Sequence, residues 1–383
     1  MHINFDYQIF SSQAQGGISR YFIEIARQMS AYEDCDVEIL APLFITHNLR
    51  AADHALLARP AFYDWVAPMV AGAESVCRAK SRQASVRRRI NQRVSRRRLL
   101  AREPDILHET FFEPDPLPLT RARRVLTVQD MIDELILLKS GRTSQAFVDV
   151  KRAAILRADH VLCSSHRSRT DLLSLVPIPE EKTTVVHLGC RAADEWPADR
   201  GLASHLPPFM LFVGNRDTYK NFDGLLRAYA RSPRLRDALA VVAFGGGPFT
   251  PAEISLAHDL SISTPKLVQI DGDDDMLADL YRRARVCVYP SFYEGFGLIP
   301  LEAMTLGCPV VTTHGGSLEE VVADAGEIVD PAEPDSIRAG LERAAFDTER
   351  RAVLAAKGTA HARTFTWARC AAETYAVYQK VLA

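Results

Sequence analysis

The chain is 383 residues long, 47% hydrophobic and 25% charged, with a formal net charge of −2 at pH 7. That balance excludes an intrinsically disordered chain and a strongly basic nucleic-acid binder, and no nucleic-acid motif accompanies it. One hydrophobic core serves roughly 100–200 residues, so two domains are expected. Seven cysteines, Cys35, Cys77, Cys163, Cys190, Cys287, Cys308 and Cys370, are scattered and never fall in a C-x-x-C pair. They read as reduced core thiols, against a disulfide frame or a zinc site.

Strand-like and helical patterns alternate along the whole chain, a βαβ rhythm. MHINFDYQIF alternates as a first strand and lacks the basic, apolar, cleavable pattern of an export signal. No window approaches the roughly 18 apolar residues that span a bilayer, so a cytoplasmic protein is expected. Gly16-Gly17 falls in the first strand-to-helix loop, where a residue without a side chain lets backbone N–H groups approach a phosphate or an acceptor, with Arg20 as an extra contact. An ordinary turn is the alternative. Between Arg78 and Arg102 there are eleven Lys or Arg and no Asp or Glu, which leaves the rest of the chain net acidic. A helix there shows Val86, Ile90 and Val94 as a thin apolar stripe, preceded by Phe62, Tyr63, Trp65, Met69 and Val70. Such a surface suits anionic lipid or the diphosphate of a lipid-linked acceptor. A solvated arginine-rich helix is the plainer reading.

DILHET and RVLTVQD read as the next strands. They make His108 a candidate on the acceptor side, or a structural histidine, and put Gln129 and Asp130 where a strand ends. Asp130 either holds a sugar hydroxyl or caps the helix that follows. The segment from Ala192 to Pro208 is rich in Pro, Ala, Gly and charge without a strand pattern, so the hinge is expected there. FMLFVGN then leads to Arg216 and Lys220, a fork of donors and a point charge suited to a leaving phosphate. Gly245-Gly246-Gly247 after ALAVVAF either lines a nucleotide cleft or makes a structural turn. Asp273-Asp274-Asp275 contains an Asp-x-Asp pattern of the manganese-binding type, but it opens the helical MLADLYRRA, where acids suit the N-terminal dipole and cap. No metal is expected.

The richest stretch runs from Tyr289 to Val322. RVCVYPS reads as a buried strand, and Glu294-Gly295-Phe296-Gly297 as a tight loop whose N–H groups can approach a phosphate. Leu298 to Leu306 continues as a helix that Gly307 can end, with Phe296 and Leu298 packing beside the loop. Glu302, inside the helix, can accept two hydrogen bonds from a ribose diol. Glu294, on the loop, can hold a hydroxyl of a sugar being transferred.

Glu294 and Glu302, with seven residues between them, match the Glu-x7-Glu signature of the retaining GT-B glycosyltransferases of family four, which this chain resembles over nearly its whole length. The other matches are Gly16 to Tyr21, His108-Glu109-Thr110, Val128 to Ile132, Val213 to Arg216 and Tyr219 to Phe222. Together they look most like bacterial mannosyl- and rhamnosyltransferases of O-antigen and exopolysaccharide synthesis. The resemblance implies an α/β GT-B fold: two Rossmann-like lobes facing a central cleft, with the C-terminal helix returning to the first lobe. Residues 1–200, with 365–383 as that helix, would bind the acceptor, and 201–364 the nucleotide sugar. It also implies a GDP-linked hexose or 6-deoxyhexose donor, a glycan or lipid-linked glycan acceptor, no cofactor, no metal, and a place at the inner face of the cell membrane. Arg216 and Lys220 match the family's diphosphate-binding pair and, with Glu294, are the expected catalytic residues. The expected route is a front-face one in which the departing phosphate takes the acceptor's proton.

Where related enzymes present a histidine near the donor sugar's 6-hydroxyl, this chain has Gln129, which cannot titrate near neutral pH. Either the donor is a 6-deoxyhexose, or the amide replaces the same hydrogen bond. Two other readings share the fold: a sugar-nucleotide epimerase or hydrolase, and a silent binding subunit of a polysaccharide assembly complex. The first needs an acid–base pair near the sugar, and the second should have lost Arg216, Lys220 or Glu302, all of which are present.

Overall fold

The computed structural model describes residues 1–14, 16–49, 51–57, 80–119 and 121–383. Phe62, Tyr63, Trp65, Met69, Val70, Cys77 and Arg78 lie outside them. The chain divides into two compact units, one of Met1–Ser164, Ser168–Gly189 and Trp367–Ala383, the other of Ser165–Arg167 and Cys190–Thr366. The long segment of the second unit starts at Cys190, just ahead of the Ala192–Pro208 stretch read as the hinge. The Cys190 amide donates to the Phe365 carbonyl (2.9 Å). Arg191 pairs with Asp274 (2.7 Å) while stacking on Trp196 (4.6 Å), and that ring packs against Tyr281 (6.0 Å).

The first unit holds a six-stranded sheet in the order β2-β1-β3-β4-β5-β6, formed by β1 (His2–Phe5), β2 (Asp36–Ile39), β3 (Ile106–Glu109), β4 (Arg123–Val128), β5 (His160–Cys163) and β6 (Thr183–Val185). All its pairings are parallel. The C-terminal helix Trp367–Leu382 belongs to this unit, as the fold reading expects, and the Tyr378 hydroxyl lies 2.5 Å from His108 Nδ1. His108 Nε2 meets Thr127 Oγ1 (2.8 Å), and the Tyr21 hydroxyl lies 3.1 Å from the same oxygen. One buried polar chain thus ties β3, β4 and two helices.

The arginine-rich segment forms the helix Lys80–Ala101, and it docks by polar contacts. Arg88 pairs with Glu113, Arg98 with Glu38 (2.5 Å), Arg102 beyond the helix with Asp36 (2.6 Å) and Arg96 with Asp115 (2.9 Å). Asn91 bonds the Leu43 amide and carbonyl, Ser95 the Leu40 carbonyl, and Leu99 joins Leu40, Leu107 and Leu117 in a small apolar cluster. The buried stripe is therefore Asn91, Ser95 and Leu99, at helical spacing. The stripe read from the sequence faces away from it: Val86 is 54% exposed, and Ile90 and Val94 are only partly covered.

The second unit repeats the architecture with β7 (Phe209–Val213), β8 (Ala240–Phe244), β9 (Leu267–Ile270), β10 (Val286–Tyr289), β11 (Val310–Thr313) and β12 (Glu327–Val329), in the order β12-β11-β10-β7-β8-β9. These pairings are parallel too. β7, β10 and β11 are buried along their whole length, as strands covered on both faces must be. Helix Leu298–Thr305 ends at Gly307, whose φ of +75° turns the chain into β11. Asp273 caps Asp274–Arg283 by accepting from the Met276 amide (3.2 Å), and Asp275 pairs with Arg200 (2.7 Å). The acid triplet thus serves the helix start and its ion pairs. Among the described residues no helix is long and apolar enough to cross a membrane.

Removing the Tyr378 hydroxyl leaves a fully buried imidazole nitrogen without a partner. Tyr378→Phe is expected to destabilise the protein by about 1–3 kcal/mol, read from urea midpoints of parent and variant.

Candidate active site

In the second sheet the chain leaves β7 toward β8 on one side and β10 toward β11 on the other, so the strand order reverses between β7 and β10. Loops leaving the carboxyl ends of such neighbours diverge and open a crevice. Here the β7 loop carries Lys220 and the β10 loop carries Glu294. Lys220 Nζ lies 2.6 Å from Glu294 Oε1 and 2.6 Å from the Tyr289 hydroxyl. The Lys220 and Glu294 side chains are 14% and 10% exposed. Burial, then the Glu294 carboxylate, hold the Tyr289 phenol well above its usual pKa, so it stays neutral beside the ammonium.

Backbone clamps fix this pair. Asn221, at φ +58°, donates to the Pro290 (3.1 Å) and Pro331 (2.7 Å) carbonyls, and the Phe292 amide donates to the Tyr219 carbonyl (2.8 Å). From the end of β11, Thr313 Oγ1 donates to the Ser291 carbonyl (2.6 Å), and Ser317 bonds the Glu294 carbonyl through its amide (3.0 Å) and hydroxyl (3.1 Å). A Cβ on Gly316 would stand 2.2 Å from that carbonyl oxygen, so only glycine fits there. Sequence reasoning missed Tyr289, Asn221, Gly316 and Ser317. Asn221 lies in the Tyr219–Phe222 match and the other three in the Tyr289–Val322 stretch, where none of them had been given a role.

Arg216 is placed differently from expectation. Its Nε pairs with Glu253 Oε1 (2.7 Å), Nη1 donates to the Gly245 carbonyl (2.9 Å), and Nη2 to those of Gly247 (2.8 Å) and Pro248 (3.0 Å). The guanidinium also lies over Phe249 (4.8 Å), and the side chain is 4% exposed. It therefore does not join Lys220. It holds together a turn in which Gly245, Gly246 and Gly247 all have φ near +70°. Glu302 is 5% exposed and accepts from the Tyr281 hydroxyl (3.2 Å), apart from the Lys220 pair. Gly297, at φ +120°, opens the helix that Leu298 begins. The Gly295 carbonyl accepts from Ser165 Oγ (2.9 Å), and Phe296 packs edge-on against Phe365 (6.0 Å).

In the first unit, Gly16 precedes the helix Gly17–Met29, and Arg20 is half-buried on its first turns. A Cβ on Gly16 would meet the movable end of the Gln13 side chain at 2.4 Å, and the Gly16 carbonyl accepts from Asn48 (3.0 Å). The acceptor-side reading of His108 is corrected: it is fully buried with both ring nitrogens engaged, and burial lowers its pKa to about 3. Gln129 and Asp130, at the carboxyl end of β4, do meet. They line one cavity with Phe111, Phe112, Thr127 and Lys151, of which the aromatic pair and the lysine went unread in the sequence. At the end of β1, Asp6 is buried and its Oδ1 accepts from the Thr110 amide (3.1 Å), the Thr110 hydroxyl (2.5 Å) and the Gln8 amide (3.1 Å).

Two family models divide the chain: Glycosyltransferase Family 4 matches residues 15–193, and Glycosyl transferases group 1 matches 197–361. The O-antigen chain mannosyltransferase B of Escherichia coli is 34% identical over 232 residues, 57% of this chain and 60% of that protein. A D-inositol 3-phosphate glycosyltransferase of Thermobispora bispora is 33% identical over 242 residues, 59% of this chain and 56% of that one. The chain thus matches under two thirds of the length of these relatives. Sucrose-phosphate synthase from Thermosynechococcus elongatus superposes with a TM-score of 0.74 at 18% identity, covering 99% of this chain and 98% of that one, which shows a shared fold.

Burial pushes the Asp6 carboxyl up to about 7, with the Glu109 carboxylate adding to it. Between pH 3.8 and about 7 the folded protein holds a proton the unfolded chain has lost, so this group makes stability fall as pH rises. His108 acts oppositely: between about pH 3 and 6.5 the unfolded chain holds the extra proton, so stability rises with pH. Asp6→Asn removes the first effect only. On acidification from about pH 7 to 4 the variant should lose stability more steeply than the parent, by up to about 1.4 kcal/mol per pH unit in urea midpoints.

Proposed function

The chain belongs to the GT-B glycosyltransferases of group 1 and family 4, and on that premise we propose that it is a retaining hexosyltransferase. It moves mannose, rhamnose or a similar hexose from a nucleotide sugar, GDP-linked by the family resemblance, to a growing lipid-linked surface glycan. The observation that carries the reading is the Lys220–Glu294 pair at the switch point of the second sheet. The name of the similar O-antigen chain mannosyltransferase supports the sugar and the glycan acceptor.

Breaking the anomeric C–O bond places negative charge on the diphosphate, and a largely buried ammonium already in position stabilises that charge without reorganising. The neutral Tyr289 phenol leaves the Lys220 cation intact, so this residue supplies what a metal supplies elsewhere, and the reaction runs metal-independent. Glu294, neutralised by Lys220 at 2.6 Å, is a weak nucleophile but a good acceptor for sugar hydroxyls. That favours the front-face route: the bond to phosphate breaks, the acceptor oxygen joins the same face, and its proton passes to the departing phosphate. Arg216 works through the Gly245–Pro248 turn it holds. Glu302 takes the ribose diol in competition with the Tyr281 hydroxyl, and Gly297 brings the helix start to the diphosphate. Gln129 reads the sugar region that a histidine reads in relatives.

The basic helix adds a peripheral contact with anionic membrane at the cell's inner face. Arg89, Arg93 and Arg97 form an i, i+4, i+8 row with no ion-pair partner among the described residues, and Leu100 is 81% exposed. With about 1 kcal/mol per basic residue near a charged surface, replacing all three by Gln should weaken sedimentation with phosphatidylglycerol vesicles roughly 100-fold.

Transfer from GDP-mannose, GDP-rhamnose and UDP-glucose, with and without a glycan acceptor, tests the main reading. Lys220→Met should lower the rate on the order of 10²-fold or more while the protein stays folded. Full activity in that variant, or sugar release that ignores the acceptor, would sink it, the latter in favour of a hydrolase or epimerase.

A further inference from the structure

We infer that Tyr289 is a positioning residue whose phenol holds Glu294 when the Lys220 charge is drawn to the departing diphosphate. The inference rests on the transferase reading, in which one lysine serves two anions, and it names the group that lets it do so. In the free site the lysine serves Glu294. Its Nζ donates to Glu294 Oε1 (2.6 Å) and to the Tyr289 hydroxyl (2.6 Å). An ammonium can only donate, so the phenol oxygen is the acceptor in that contact and its own proton remains for another group. Glu294 is the acceptor at hand, since its charge and a hydrogen bond with it both hold the phenol proton in place. The three groups close a triangle in which the carboxylate has two donors, one charged and one neutral.

A diphosphate entering beside Lys220 competes for the same positive charge. The Glu294 side chain, 10% exposed, then loses part of its counter-charge where little water can replace it. Weakening a buried ion pair strands the charge left behind, and that cost opposes nucleotide binding and leaving-group stabilisation alike. The phenol offsets it, because its proton already points to the same carboxylate and a hydrogen bond to an ionised group is among the strong ones.

The backbone divides the labour in the same way. Tyr289 ends β10 opposite Thr312 of β11, whose hydroxyl donates to the Tyr289 carbonyl (2.9 Å), and the residue is 3% exposed. Lys220 stands instead on the short turn Thr218–Lys220 outside the sheet, with its ammonium at the end of a flexible four-carbon stem. The rings of Tyr219 (5.2 Å) and Tyr289 (4.9 Å) flank that ammonium and attract it without fixing its direction. The cation is free to shift toward a phosphate while the sheet keeps the phenol on Glu294.

Titration calorimetry on the whole protein with GDP and with UDP tests this. A nucleotide alone brings no sugar hydroxyl to Glu294, so the phenol is the donor that a phenylalanine takes away. Tyr289→Phe, which keeps the ring and its packing, should weaken the tighter-binding nucleotide about tenfold. Glu294→Gln leaves no charge to strand, so the same Tyr289→Phe exchange made in that variant should change affinity by less than about twofold. A packing role for Tyr289 gives the same loss in both backgrounds, and that result, or no loss in either, would overturn the inference. Lys220→Met reads the transferase premise separately and should lose about tenfold or more in nucleotide affinity. That loss, with equal effects of Tyr289→Phe in the two backgrounds, condemns the inference alone. A parent that binds neither nucleotide, or a Lys220→Met variant that binds as the parent does, condemns the transferase reading and the inference with it.

Discussion

A parallel sheet delivers the carboxyl ends of all its strands to one edge, and every chemical feature of the second unit follows from that constraint. Lys220 and Glu294 are 74 positions apart in the chain, yet the order reversal between β7 and β10 brings them to 2.6 Å. An ion pair this buried is stable only when its surroundings hold it, because removing one partner strands the other charge. Hence the clamps: Asn221 on two carbonyls, Ser317 on the Glu294 carbonyl, and a glycine at 316 where any side chain would collide. The preorganisation a leaving group needs is built from backbone contacts that carry no charge.

Arg216 shows the other use of a cation in such a site. Its donors satisfy the carbonyls of three consecutive left-handed glycines and its flank covers Phe249, so its charge is consumed in making a turn. A planar guanidinium suits that task, since several carbonyls can share one rigid fork, whereas the ammonium of Lys220 acts as a point charge. The helix Lys80–Ala101 divides its arginines by the same logic. Arg88, Arg96 and Arg98 neutralise acids of the first unit, while Arg89, Arg93 and Arg97 point their row elsewhere. Net charge along a segment says nothing of which charges remain to meet a partner.

The first unit carries its polar groups deep. His108 is kept neutral by burial and hydrogen-bonded on both nitrogens, and Asp6 is buried in a nest of donors at the end of β1. These groups hold the C-terminal helix and the strand ends in register. A buried network that is satisfied specifies structure.

The return of the C-terminal helix was expected from the family resemblance alone, whereas the alternation of buried runs and helices, the two-unit α/β architecture, the cap at Asp273 and the stop at Gly307 were legible in the residues themselves. They depend on periodicity and local backbone chemistry, which residues near one another in the chain determine. The placement of Glu294 on a loop and Glu302 in a helix was legible for the same reason. What tertiary structure alone decided is which side chains meet. Lys220 reaches Glu294 while Arg216, four positions earlier, turns to Glu253 and a glycine turn; His108 lies in the core and not on a binding surface; and the basic helix buries Asn91, Ser95 and Leu99 in place of its valines. These outcomes rest on contacts between residues distant in the chain. A residue's type limits the partners it can take, but only the packing of strands and loops around it selects one.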